Sequence, residues 1–139
     1  MVALALAGSM ACGDDEPERR TFQDIGDFCV KSEPDGRLTF TVTVGAVGRP
    51  CLSGCRINTA SCQATLTGDR IELLSQLEIR ENPGVDVCPA ACIITTGTCE
   101  LAAPAPGDYD FGFASRFEAR ALPTSPTEGC APLFADAAD

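Results

Sequence analysis

Cysteine spacing constrains this chain more than any other feature. Cys51, Cys55 and Cys62 follow C-x3-C-x6-C, and Cys88, Cys92 and Cys99 repeat that spacing thirty-seven residues later. The match extends past the cysteines: Ile57 and Thr59 recur as Ile94 and Thr96, and Gln63 corresponds to Glu100. After a two-residue slip each copy reaches a Gly-Asp, at Gly68-Asp69 and Gly107-Asp108, followed by strand-forming residues. Each copy therefore reads as a cysteine cluster, a strand, a turn and a strand. Two copies are too few for a solenoid. The duplication is expected to supply two hairpins, one to each of two sheets.

Thiol chemistry offers three roles for these cysteines. Zinc is disfavoured, because C-x3-C is not the C-x2-C of zinc ribbons and the chain has no histidine to complete a mixed site. Disulfide exchange wants C-x-x-C at a helix start, which the sequence does not supply. Structural disulfides remain, and they fit an oxidising compartment. Cys29, Cys51, Cys55, Cys62, Cys88, Cys92, Cys99 and Cys130 are accordingly expected to be oxidised. Eight cysteines allow 105 connectivities, among which sequence cannot choose. Our expectation is that Cys29 and Cys130 clasp the two ends of the domain. The six repeat cysteines then pair within or between their clusters.

The ninth cysteine has a different setting. Residues 2–10 (VALALAGSM) are apolar and too short to span a bilayer, and Ala11-Cys12 and the acidic Gly13–Glu16 follow. Over these first residues the chain resembles a bacterial lipoprotein, in which signal peptidase II cuts before a cysteine that then carries lipid. The resemblance implies lipidation of Cys12 and a membrane anchor, most simply in the outer membrane of a Gram-negative envelope. Cleavage by ordinary signal peptidase after Ser9-Met10-Ala11 is the competing reading. Parity favours the lipoprotein, since setting Cys12 aside leaves an even number of cysteines. Residues 1–11 are thus expected to be an export signal whose start lies upstream, and residues 12–26 a flexible tether. A β-domain over 27–135 and an acidic tail over 136–139 complete the expected organisation.

Within the domain, Leu38, Phe40, Val42 and Val44 alternate with threonines, the period of a half-buried strand. A turn signal (SEPDG, 32–36) precedes it. Strands are also expected near 57–66, 70–80, 93–101, 108–113 and 116–122. Over 70–80, Ile71, Leu73, Leu77 and Ile79 oppose Glu72, Gln76, Glu78 and Arg80. That pattern also fits a three-turn helix, but the flanking turns favour a strand. Tyr109, Phe111 and Phe113 share one face. The fold class predicted is all-β: a single disulfide-stapled antiparallel sandwich of six or seven strands, immunoglobulin-like in outline.

Composition narrows function by exclusion. A net charge of −10 argues against a surface that binds nucleic acid. Lacking histidine, and with Lys31 as its single lysine, the chain has few ready bases or nucleophiles. Carboxylate pairs such as Glu72 with Glu78, or Asp108 with Asp110, leave a glycosidase-like hydrolase as one alternative. Calcium held near Asp108 and Asp110 is another, although no loop has EF-hand spacing. The reading favoured is a lipid-anchored envelope module, binding or structural, with no cofactor and with a protein or glycan partner. Its loops at 45–50, 81–85 and 102–106 are the expected contact surfaces.

Overall fold

The computed structural model of the chain describes residues 18–45, 51–82, 84, 87–88, 91–123 and 129–134. Cys12, the expected signal and the acidic tail lie outside these residues. So do residues 46–50 of the first expected contact loop and parts of the second. The described residues form strands and no helix. In chain order the strands are β1 (Arg19–Gln23), β2 (Asp27–Ser32), β3 (Leu38–Val44), β4 (Leu52–Ser53), β5 (Arg56–Thr67) and β6 (Arg70–Glu81). Then follow β7 (Cys92–Ile93), β8 (Thr95–Leu101), β9 (Gly107–Phe113), β10 (Arg116–Leu122) and β11 (Ala131–Pro132).

The alternating residues of β3 build one wall of the core. Leu38, Phe40, Val42 and Val44 are each at most 1 % exposed, and the threonines between them are half-buried. β3 lies between β2 and β8 in a four-stranded sheet of order β11-β2-β3-β8. The second wall comes from β6, where Ile71, Leu73 and Leu77 are buried and Arg70 and Leu74 are exposed. This settles 70–81 as a strand. β5 pairs with β6 along its whole length. On the other edge of β6, β1 takes residues 76–80 and β9 takes residues 70–73, and β10 lies beyond β9. β4 and β7 make a separate two-stranded ladder.

The two larger sheets meet through aromatic rings. Phe28 of β2 stands edge-on to Phe113 of β9 at 4.8 Å between centroids, and Phe40 of β3 meets Phe111 of β9 at 6.2 Å. Edge-to-face packing of this kind suits the ring quadrupoles. Ile71, Leu73, Leu77, Leu133 and Phe134 fill the space around them.

Four features depart from the expected architecture. Among the described residues, eleven strands in three sheets replace the six or seven of a single sandwich, and β6 pairs with β9 in parallel. The residues around Cys29, for which no strand was foreseen, form β2. Part of the expected tether is also a strand: Arg19–Gln23 pairs with β6 from Arg80 to Gln76. Its side chains are exposed, and it is held by backbone hydrogen bonding to an edge that β9 leaves open, with Arg19–Glu78 and Gln23–Gln76 side-chain bonds across the pair. A polar composition does not forbid that. The second repeat copy, finally, is not a hairpin, because β8 and β9 belong to different sheets and residues 102–106 carry the chain across.

Candidate functional site

The six repeat cysteines pair only between copies. Cys51 bonds Cys92, Cys55 bonds Cys88 and Cys62 bonds Cys99, while Cys29 bonds Cys130 across 101 residues. The end-to-end clasp is the one expected. The repeat bonds follow a rule: the first cysteine of each copy joins the second of the other, and the third joins the third. Exchanging the two copies leaves this set of bonds unchanged. The symmetry was hidden in the sequence because spacing does not reveal which copy supplies a partner.

Contacts between β5 and β8 obey the same equivalence. Asn58 and Thr95 occupy matching positions, and the Thr95 hydroxyl donates to the Asn58 carbonyl at 3.2 Å. Ala60 matches Gly97, whose backbone lies against the Ala60 carbonyl so closely that a Cβ there would collide with it, and would stand 2.9 Å from the Ser61 nitrogen. Cys62 matches Cys99, and they are bonded. Matching positions therefore meet in sequence order, so the two strands run in the same direction where the sheets approach. The shared isoleucines Ile57 and Ile94 are both exposed.

The candidate carboxylates all lie on the outer face of the larger sheet. Asp108 and Asp110 are exposed on β9, opposite Ala121 and Ala119 of β10. Glu72 pairs with Arg70 and lies against Gly112, and the Arg70 guanidinium sits 5.2 Å from the centre of the Phe117 ring. Glu78 lies six residues further along the same strand and pairs with Arg19 at 3.1 Å and with Arg80. Each of these carboxylates is thus on an open sheet surface, and Glu72 and Glu78 are apart. Among the described residues, no group of three or more His, Cys, Asp or Glu is placed to hold a metal ion.

One concavity on this face was not legible in the sequence. A groove of about 190 Å³ is lined by Gln23, Ser61, Cys62, Gln63, Leu74, Ser75 and Gln76. It forms where β6 passes between the end of β1 and the middle of β5. Gln23 donates to the Gln76 side-chain oxygen at 3.4 Å, and half-exposed Leu74 provides an apolar floor. No lining residue is charged. Alternation along β5 and β6 would have put Ser61, Gln63 and Gln76 on one face, but nothing in the sequence brings Gln23 beside them.

A charged cluster also lies at the β2–β3 turn. There, Asp35 accepts hydrogen bonds from the Arg37 amide at 3.0 Å and its guanidinium at 2.6 Å. These bonds hold the exposed Asp35 carboxyl below the usual aspartate range and push the Arg37 guanidinium up. Arg37 also reaches Glu100 on β8 at 3.0 Å. No family model matches the sequence, and no curated protein or solved structure matches it either.

Proposed function

We propose that this chain is a lipid-anchored module of a bacterial cell envelope that binds and does not catalyse. In this reading the fold is a disulfide-stapled β-sandwich displayed beyond a membrane anchor on Cys12. The observation that carries the proposal is the cysteine ledger. Eight of the nine cysteines are joined in four disulfides, and the ninth is Cys12. A set so fully oxidised belongs to an exported domain. It also leaves the residue at the lipoprotein-like cleavage position without a thiol partner inside the domain.

The uncharged groove supports binding over turnover. Its amides and hydroxyl can donate and accept hydrogen bonds, as recognition of a neutral glycan or peptide backbone requires, while no carboxylate lines it. The test is the intact mass of the mature, unreduced protein after thiol alkylation, paired with detergent phase partition. Lipid mass on Cys12 with no alkylated thiol is expected, together with loss of detergent partition in Cys12→Ser. An unmodified Cys12 overturns the anchor. Turnover of a glycoside, ester or peptide that is abolished by Asp108→Asn or Glu72→Gln, with stability unchanged, overturns the binding reading.

A further inference from the structure

We infer that β10 is a self-pairing edge, through which two copies of this chain form a two-fold symmetric dimer. β10 is the last strand of the larger sheet, and β9 is its sole strand partner among the described residues. A strand with one free flank presents a row of unpaired N–H and C=O groups, which is a template for another strand. The segment after it approaches from the core side and does so through side chains. Arg120 donates to the Pro132 carbonyl at 2.9 Å, and the Phe134 amide donates to Glu118 at 3.4 Å. Arg116 lies over the rings of Phe113 and Phe134.

The burial of β10 is reversed from what its composition would lead one to expect. Arg116, Glu118 and Arg120 are half-buried toward the core, whereas Phe117, Ala119 and Ala121 are exposed, Phe117 by 66 %. An apolar flank facing solvent on an edge strand needs a reason, and self-complementarity supplies one. A two-fold axis through Ala119 makes the pairing antiparallel. Glu118 then stands opposite Arg120 of the other copy, twice, and Phe117 stands opposite Ala121, twice. Opposite charges and a large residue against a small one are both favourable cross-strand pairs. Moving the axis to Glu118 would oppose Glu118 to itself and Arg116 to Arg120, which sets like charges together. Inward charges commonly protect an edge against pairing. Here their alternating sign rules out the register centred on Glu118 and allows the one centred on Ala119, where Phe117 also meets a small residue rather than its own copy.

The experiment measures the mass of the purified, oxidised full chain by sedimentation equilibrium, and a reversible dimer is expected. Ala119→Cys places one thiol opposite its own copy. Residues facing each other across an antiparallel pair lie about 4.5–5.5 Å apart at Cα, inside the disulfide range. Mild oxidation should therefore yield a covalent dimer, and Thr65→Cys, also exposed but on β5, should not. Glu118→Arg should shift the equilibrium toward monomer by tenfold or more, and Glu118→Arg with Arg120→Glu should restore the dimer. That restoration also guards against a folding defect in the single variant. A monomer at every concentration, equal crosslinking at residues 65 and 119, or a dimer untouched by either charge variant would overturn the inference.

Discussion

The Ser75 hydroxyl holds both backbone groups of Ile25, donating to its carbonyl at 2.7 Å and accepting from its amide at 2.9 Å. Ser75 is only 2 % exposed and occupies the position between Leu73 and Leu77 in the apolar stripe of β6. The Asp24 amide adds a bond to the Ser75 carbonyl at 2.9 Å. Together these fix the crossing from β1 to β2, where Gly26 takes φ +101° and packs under Thr43. Ser75→Ala leaves two Ile25 groups without their partner and should cost about 1–3 kcal/mol. Denaturant unfolding measures that cost. Faster amide exchange at Asp24 and Ile25 than at β3 locates it.

Gly97→Ala should destabilise by about 1–3 kcal/mol, because the added methyl overlaps the Ala60 carbonyl and neither strand can retreat from the Cys62–Cys99 bond. Thermal melts of the oxidised variant and its parent give the difference. An unchanged melt would mean that β5 and β8 do not approach this closely.

On β6 the two faces should respond unequally. Leu73→Ala removes a side chain that is 1 % exposed and should cost about 2–5 kcal/mol. Glu72→Ala removes a partly exposed carboxylate and should stay within about 0.5 kcal/mol. Equal costs in denaturant titration would contradict the strand assignment.

Peptide mapping of the unreduced protein should recover Cys51 with Cys92 and Cys55 with Cys88. Linkage of Cys51 to Cys88 would rule out the crossed arrangement. Converting both Cys29 and Cys130 to serine should cost about 2–5 kcal/mol, since that bond closes the longest loop.

The Asp35 carboxyl should titrate below an ordinary aspartate in a carbon-detected NMR experiment. Because its folded value is lowered, its favourable contribution is complete above the unfolded-chain value and fades as pH falls through the folded one. Arg37→Ala removes both the guanidinium bond and the charge, and the titration should move back up.

Strands that carry their own alternation were legible without coordinates. Leu38 to Val44 needs only period two to declare itself, and the Tyr109, Phe111 and Phe113 face is of the same kind. β1 and β11 were not, because a short strand that joins an existing edge is held by its neighbour's backbone. β10 shows a further limit. A strand was expected there, but which face turns inward depends on residues 131–134, twelve to sixteen residues from the side chains they meet. The groove fails for the same reason, since Gln23 and Gln76 become neighbours only through the pairing of β1 with β6.

The Cys29–Cys130 bond also decides where mechanical tension travels. Once β1 has peeled from β6, force applied to the chain on either side of the two cysteines passes through one covalent link and bypasses the 101-residue interval that it closes. Without the link, segments 29–51 and 92–130 would extend by roughly 200–220 Å as the sheets came apart, until the Cys51–Cys92 bond drew taut. With it, a pull along the chain meets a fixed point, and the three remaining disulfides carry no strain until that bond is reduced.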